Sequence, residues 1–220
     1  MVTKGILRLF SIELTMSSVL NKLVPFNQIE GTASTNVPAY SNKYSGSYRG
    51  GRHSVHGVFT GYQWQCVEFA RRWLLMRKSC TFMDIPCACN IWTDVPHIER
   101  ITDGQRFRLR CVPNGSTELP KKDALLIYSR NQKMPYGHVA IITDVTPDHV
   151  HIAEQNNLYH AWPGDYARRE PLRVENGRYF IDDEDPIYGW MEIENNDQLE
   201  PFHESKIPHI LDRYLENSMD

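Results

Sequence analysis

The sequence predicts an α+β domain: one amphipathic helix, then a sheet built from the strands that follow it. Around Gln65 to Lys78 the apolar residues Phe69, Ala70, Trp73, Leu74 and Met76 recur at three- and four-residue intervals, with Arg71, Arg72, Arg77 and Lys78 between them. Beyond Pro113-Asn114-Gly115 the period shortens to that of strands, and short runs rich in Val and Ile alternate with turn residues.

Taken in chain order, residues 1–24 read as an N-terminal extension. Lys4, Arg8 and Glu13 interrupt its apolar residues, so it lacks the unbroken core of a secretory signal. An organelle address stays open there, and Met16 offers an alternative start. Residues 27–61, rich in Gly, Ser, Asn and Tyr, are expected to form a loop with one edge strand, an extended arm leading into the core. The helix follows. From Thr81 to Arg110 the breaks at Asp84-Ile85-Pro86 and Val95-Pro96 suggest short helices joined by turns. Ala124 to Tyr128 is expected as a buried strand. His138–Val145 and His149–Gln155 should form a hairpin across Thr146-Pro147-Asp148, and Tyr179–Ile181 and Trp190–Ile193 add two further strands. The acid-rich tail, 196–220, looks like a peripheral appendage, placed to cover a cleft if one lies beside the last strand.

Composition excludes several partners. A chain of 220 residues that is 41% hydrophobic and 23% charged can bury one sizeable core. Its net charge of −3 gives no basic footprint for a phosphate backbone, so nucleic acid is not expected. No run of about eighteen apolar residues is present, so no membrane partner is expected either. Five cysteines at irregular spacing do not make a disulfide framework and fit a reducing, cytoplasmic setting. Cys87 and Cys89 lack a second pair at ligand spacing, so no metal is assigned. His53, His56, His149 and His151 have no Cys or Asp companions at ligand spacing and are read as surface residues. Oligomeric state is left open.

The residues that suggest chemistry begin with Cys66. It falls in the first turn of the helix, where free backbone N–H groups and the positive end of the helix dipole favour a thiolate. Position alone favours a place on the apolar stripe with Phe69, Ala70 and Trp73 and does not decide between the two. A thiolate nucleophile needs a base, and the base needs a group that orients it. His138 opens one strand of the expected hairpin and Glu154 closes the other, so a tight turn brings them close to facing each other. Alone, such a pair reads as readily as an ordinary ion pair. Two amides flank these groups, Gln65 before the cysteine and Asn156 after the glutamate. Gln65, with the Cys66 N–H, is the first candidate donor to an oxyanion.

The string Tyr62-Gln63-Trp64-Gln65-Cys66-Val67-Glu68-Phe69-Ala70-Arg71-Arg72-Trp73, with Gly137-His138-Val139-Ala140-Ile141-Ile142-Thr143 and Ala153-Glu154-Gln155-Asn156, resembles the CHAP family of cysteine, histidine-dependent amidohydrolases and peptidases. Within it the chain is most similar to the amidase domains of glutathionylspermidine and trypanothione synthetase/amidases. Further echoes are Val37-Pro38-Ala39-Tyr40-Ser41, Pro113-Asn114-Gly115-Ser116, Val174-Glu175-Asn176-Gly177 and Gly189-Trp190-Met191, which set the domain at 25–195.

The resemblance implies a papain-like CHAP (NlpC/P60-type) fold, its cysteine helix packed on an antiparallel sheet. It carries a catalytic set onto Cys66, His138 and Glu154, with Asn156 beside it. The implied reaction is hydrolysis of the amide between the glycine of glutathione and a spermidine amine, so the expected partner is a small glutathione–polyamine conjugate. Arg71, one turn beyond the nucleophile, would meet a substrate carboxylate or simply face solvent. The relatives carry a synthetase domain that these 220 residues do not include, so no ATP or magnesium site and no other cofactor is expected. A CHAP endopeptidase acting on peptide or peptidoglycan cross-links would use the same residues. A catalytically silent binding protein would have no need of all three.

Overall fold

The computed structural model describes residues 23–43 and 50–216. The expected extension at 1–24 lies outside the described residues except for Leu23 and Val24. Two short pairs come first, β1 (Ile29–Thr32) with β2 (Pro38–Tyr40) and β3 (Arg52–Val55) with β4 (Val58–Tyr62). Helix α1 (Cys66–Lys78) follows, then β5 (Cys80–Thr81), the single-turn α2 (Ile91–Asp94), β6 (His97–Arg100) and β7 (Arg106–Pro113). The chain continues through β8 (Leu125–Tyr128), β9 (His138–Val145), β10 (His149–Ala153), β11 (Arg168–Glu175), β12 (Arg178–Ile181) and β13 (Ile187–Ile193). Strands β5 to β13 form one nine-stranded antiparallel sheet in the order β12-β11-β10-β9-β8-β13-β7-β6-β5. The molecule is thus α+β, sheet-rich with few helices.

Strands β8 and β9 sit mid-sheet and are buried on both faces, which is why they read as unbroken apolar runs. Leu125, Ile127, Val139 and Ile141 meet Phe69, Ala70, Trp73 and Leu74 of α1 on one face. Their neighbours Leu126, Tyr128, Ala140 and Ile142 join Val150, Ile152, Leu172 and Trp190 on the other. Trp73 is fully buried, and truncating so large a side chain costs about 3–5 kcal/mol. The helix ends where Ser79 turns left-handed (φ 53°) and its N–H returns to the Leu74 and Leu75 carbonyls.

Three sequence expectations are corrected. Residues 27–61 are not a loop with one edge strand: they form four short strands, and Ala33, Val37 and Ala39 enter the main core. The 81–110 region holds the expected short helical turns only at 88–94, and β6 and part of β7 fill the rest of its ordered length. Phe107 and Leu109 are buried on the helix side next to exposed arginines at 106 and 108, a strand alternation that the two proline breaks obscured. Strand β11 was missed because mainly its Leu172 is buried and its charged residues resemble a solvated loop.

The tail is less peripheral than its composition suggests. Leu199 joins the core on the helix side, and Ile210 packs with Val58, Leu75 and Ile101. Farther on, the Glu216 N–H donates to the Gly57 carbonyl at 2.9 Å and its carboxylate accepts from Arg52. The Ile210 and Glu216 contacts lie on the β3–β4 hairpin, the far end of α1 and Ile101, not on Cys66, His138 or Glu154.

Candidate active site

Cys66 is the first residue of α1 and is 7% exposed. Burial raises its thiol, but the charge and hydrogen bond of His138, with backbone N–H groups of Val139 and Val67, outweigh that and bring it below the ordinary thiol value. His138, the first residue of β9, is pushed the other way. Burial lowers it, while the Cys66 charge and hydrogen bond and then Glu154 raise it well above an ordinary imidazole. Both shifts run in the direction that favours a thiolate beside an imidazolium.

His138 Nε2 lies 2.8 Å from Glu154 Oε2, which leaves Nδ1 for the sulfur. A bulge in the β9–β10 hairpin makes this pairing available. The register steps from His151↔Asp144 to Ile152↔Ile142, a shift of one residue. Carried one residue past the ladder, Glu154 falls opposite Ala140 instead of Ile141, and so on the same side of β9 as His138. Gly137 delivers the histidine. Its φ is +66°, and a Cβ there would stand 2.7 Å from both Cys89 Cβ and the Tyr128 carbonyl oxygen.

Sequence reasoning missed Arg168, at the start of β11. Its Nε donates to Glu154 Oε1 at 2.6 Å, and its Nη1 reaches Glu170 at 2.6 Å and Asp183 at 2.8 Å. Burial would raise the Glu154 carboxyl; the Arg168 charge and the His138 hydrogen bond reverse this and hold it down near 2. Asn157 Nδ2 adds a third donor, 3.0 Å from Oε1. No local pattern signals Arg168, because its partner lies on a neighbouring strand and it is flanked by other charges.

The two flanking amides are joined directly. Asn156 Nδ2 donates to Gln65 Oε1 at 2.9 Å, while its own Oδ1 accepts from Asn42 at 2.8 Å and the Tyr159 hydroxyl at 3.1 Å. Asn156 adopts φ 65°, a conformation asparagine tolerates better than most residues, and this turns the chain from Glu154 back towards α1. With its oxygen bound, Gln65 keeps its NH2 group for another acceptor.

Gln155, also unassigned from sequence, is buried and binds the residue before the cysteine. It donates to the Gln65 carbonyl at 3.2 Å and Glu68 Oε2 at 3.0 Å, and accepts from the Tyr40 N–H at 2.8 Å. Glu68 in turn binds Arg72 Nε and His53 Nδ1, each at 2.8 Å. His53 was expected on the surface; instead it belongs to this buried network, which ties the start of α1 to the chain after Glu154. His149 stacks loosely with His151 and pairs with exposed Asp148.

Arg71 lies elsewhere. It is 6% exposed, so it does not face solvent, and it contacts Thr81, Asp84 and the rings of Phe59 and Phe82 in a separate pocket shared with Arg106 and Tyr214. Cys89 accepts from Arg130 Nε at 3.0 Å. All five cysteines are free, and among the described residues no helix is long and apolar enough to cross a membrane.

Residues 57–156 match the family model described as CHAP domain. The chain is 38% identical over 164 residues to the trypanothione synthetase of Crithidia fasciculata, covering 74% of this chain and 25% of that protein. It is 34% identical over 180 residues to the bifunctional glutathionylspermidine synthetase/amidase of Escherichia coli (strain K12), covering 76% and 29%. The glutathionylspermidine synthase of Crithidia fasciculata is 34% identical over 138 residues, covering 61% and 19%. The chain therefore spans under a third of the length of these relatives.

Proposed function

Since this chain carries a CHAP domain, related to the amidase part of such proteins, we propose that it is a cysteine amidase that hydrolyses glutathione–polyamine amides such as glutathionylspermidine or trypanothione. The observation that carries this reading is the buried line Cys66–His138–Glu154–Arg168, in which a thiol lowered by an imidazolium stands at a helix start. A binding module gains nothing from a thiol lowered in this way.

In the proposed reaction the Cys66 thiolate attacks the glycyl carbonyl. The developing oxyanion is held by the Cys66 N–H and the Gln65 side-chain NH2, which Asn156 aims by holding the amide oxygen. His138 passes its Nδ1 proton to the departing amine. Water, deprotonated by the same nitrogen, opens the thioester and releases glutathione. Glu154 fixes the ring through Nε2 and stabilises its positive charge, and Arg168 keeps Glu154 ionised. Arg71, in its separate pocket, is not needed for these steps. The proposal includes a papain-like arrangement, residues 25–195 as the amidase domain and a cytoplasmic setting that suits five free thiols.

The test is mass-spectrometric detection of products after purified protein meets glutathionylspermidine, trypanothione and a glycine-containing cell-wall peptide, with Cys66→Ala as control. Cysteine-dependent release of glutathione is expected. Cleavage of the peptide alone moves the chain to the endopeptidase branch, and cleavage of nothing removes the enzyme reading.

A further inference from the structure

Glu30 lies on β1 with its side chain buried, and its Oε1 has no hydrogen-bond partner. Among the described residues only Asn196 Oδ1 shares that condition. A buried carboxyl oxygen left without a donor is costly, so it calls for a reason. Burial lifts this carboxyl to about 7; the Ser41 hydroxyl works against the rise and the Glu154 charge adds to it.

The space Glu30 borders is a pocket of about 270 Å³ that also touches Glu154, Gln155, Leu158, Tyr159 and Trp162. It adjoins the candidate active site, since the Tyr159 hydroxyl binds Asn156, which binds Gln65 next to the cysteine. Its cation, Arg168, is already taken by Glu154, Glu170 and Asp183. An occupant must therefore bring its own N–H and gains most if it brings a positive charge as well. Leu158 and Trp162 offer aliphatic and aromatic surface to methylenes and to an ammonium.

We propose that this pocket is a subsite for an ammonium group on the amine half of the substrate, with Glu30 as its acceptor and specificity-determining residue. The proposal rests on the amidase reading, because it supposes that the amine leaves from the Cys66 side of the same cleft. It also says why a polyamine amide would be preferred to one without a second amine: its distal ammonium supplies both the donor and the charge that Glu30 lacks.

Two measurements separate the proposal from the reading beneath it. The first is calorimetric titration of free spermidine into the wild type, Glu30→Gln and Leu158→Lys. Glu30→Gln is isosteric, and Leu158→Lys sets a cation at an exposed rim position where folding is not at stake. At least tenfold weaker binding in both variants is expected, and affinities equal to wild type in both overturn the subsite. The second compares hydrolysis of glutathionylspermidine with that of glutathione N-propylamide, whose amine half is uncharged. Glu30→Gln should raise KM for the first at least tenfold and leave kcat/KM for the second within twofold. Equal effects on both substrates remove the subsite but keep the amidase. Wild-type cleavage of neither removes the amidase, and the titration still decides the subsite.

Discussion

Arg168 Nε donates to Glu154 Oε1 at 2.6 Å while His138 Nε2 meets Oε2 of the same carboxylate at 2.8 Å. One buried carboxylate thus joins an arginine and a histidine from different strands, and the Arg168 charge does most to keep it ionised. Replacing Arg168 by Met should let burial raise the Glu154 carboxyl and weaken its hold on the imidazolium. The expected result is a fall in kcat of roughly tenfold or more, equivalent to at least about 1.4 kcal/mol of barrier, with KM little changed. Breaking a buried charge pair also costs about 3–5 kcal/mol of stability, so the urea midpoint should drop. A variant with wild-type kcat would show that Arg168 serves the fold alone.

Cys66 should keep its reactivity in mild acid. Its thiol lies below the ordinary value, whereas burial pushes Cys80 up to about 12. Carboxymethylation of the Cys66 peptide, followed by mass spectrometry, should therefore slow less between pH 8 and pH 6 than that of an unperturbed thiol, which slows by about tenfold per unit. The exposed Cys111 supplies an internal comparison. In His138→Ala the Cys66 rate should fall at least as steeply with pH as that of an ordinary thiol, because burial then raises the group.

Acid should destabilise the fold through Glu154. Its carboxyl is held near 2 in the folded chain against an ordinary 4.5, so the unfolded chain binds the proton more readily. This contribution is complete above about pH 5 and drains away as pH falls toward 2. Urea midpoints measured across that range should fall more steeply for wild type than for Glu154→Gln. The same variant should lose activity at pH 7 by on the order of 10²–10⁴-fold, because its amide cannot balance the imidazolium.

Gly137→Ala tests delivery of the histidine. A methyl group there would enter the Cys89 and Tyr128 contacts at a backbone φ that L residues rarely adopt. A loss of about 1–3 kcal/mol in stability is expected. Because β9 begins at the next residue, kcat should fall more than KM changes.

Legibility in the sequence followed burial. Helix α1 and strands β8 to β10 announced themselves because their apolar residues recur with a clear period or run unbroken. Cys66, His138 and Glu154 could be brought together from the helix start and one hairpin, although the bulge that corrects their register left no mark. Arg168, Gln155 and Glu30 stayed hidden for a common reason. Each is a polar residue whose partners or neighbours come from other parts of the chain, and its burial is decided by packing that no local pattern encodes.

The contact between Glu216 and Arg52 spans 164 residues of chain. During synthesis the β3–β4 hairpin emerges early, but Ile210 and Tyr214, which pack beside its Val58, and Glu216, which binds its Gly57 carbonyl, emerge far later. Until then its flank has no cover. Contacts so distant along the chain form slowly, since a long loop must close before they bring any gain. Docking of residues 210–216 is therefore expected as a late kinetic phase in refolding, visible as delayed proteolytic protection of the hairpin after α1 and the central sheet are already resistant.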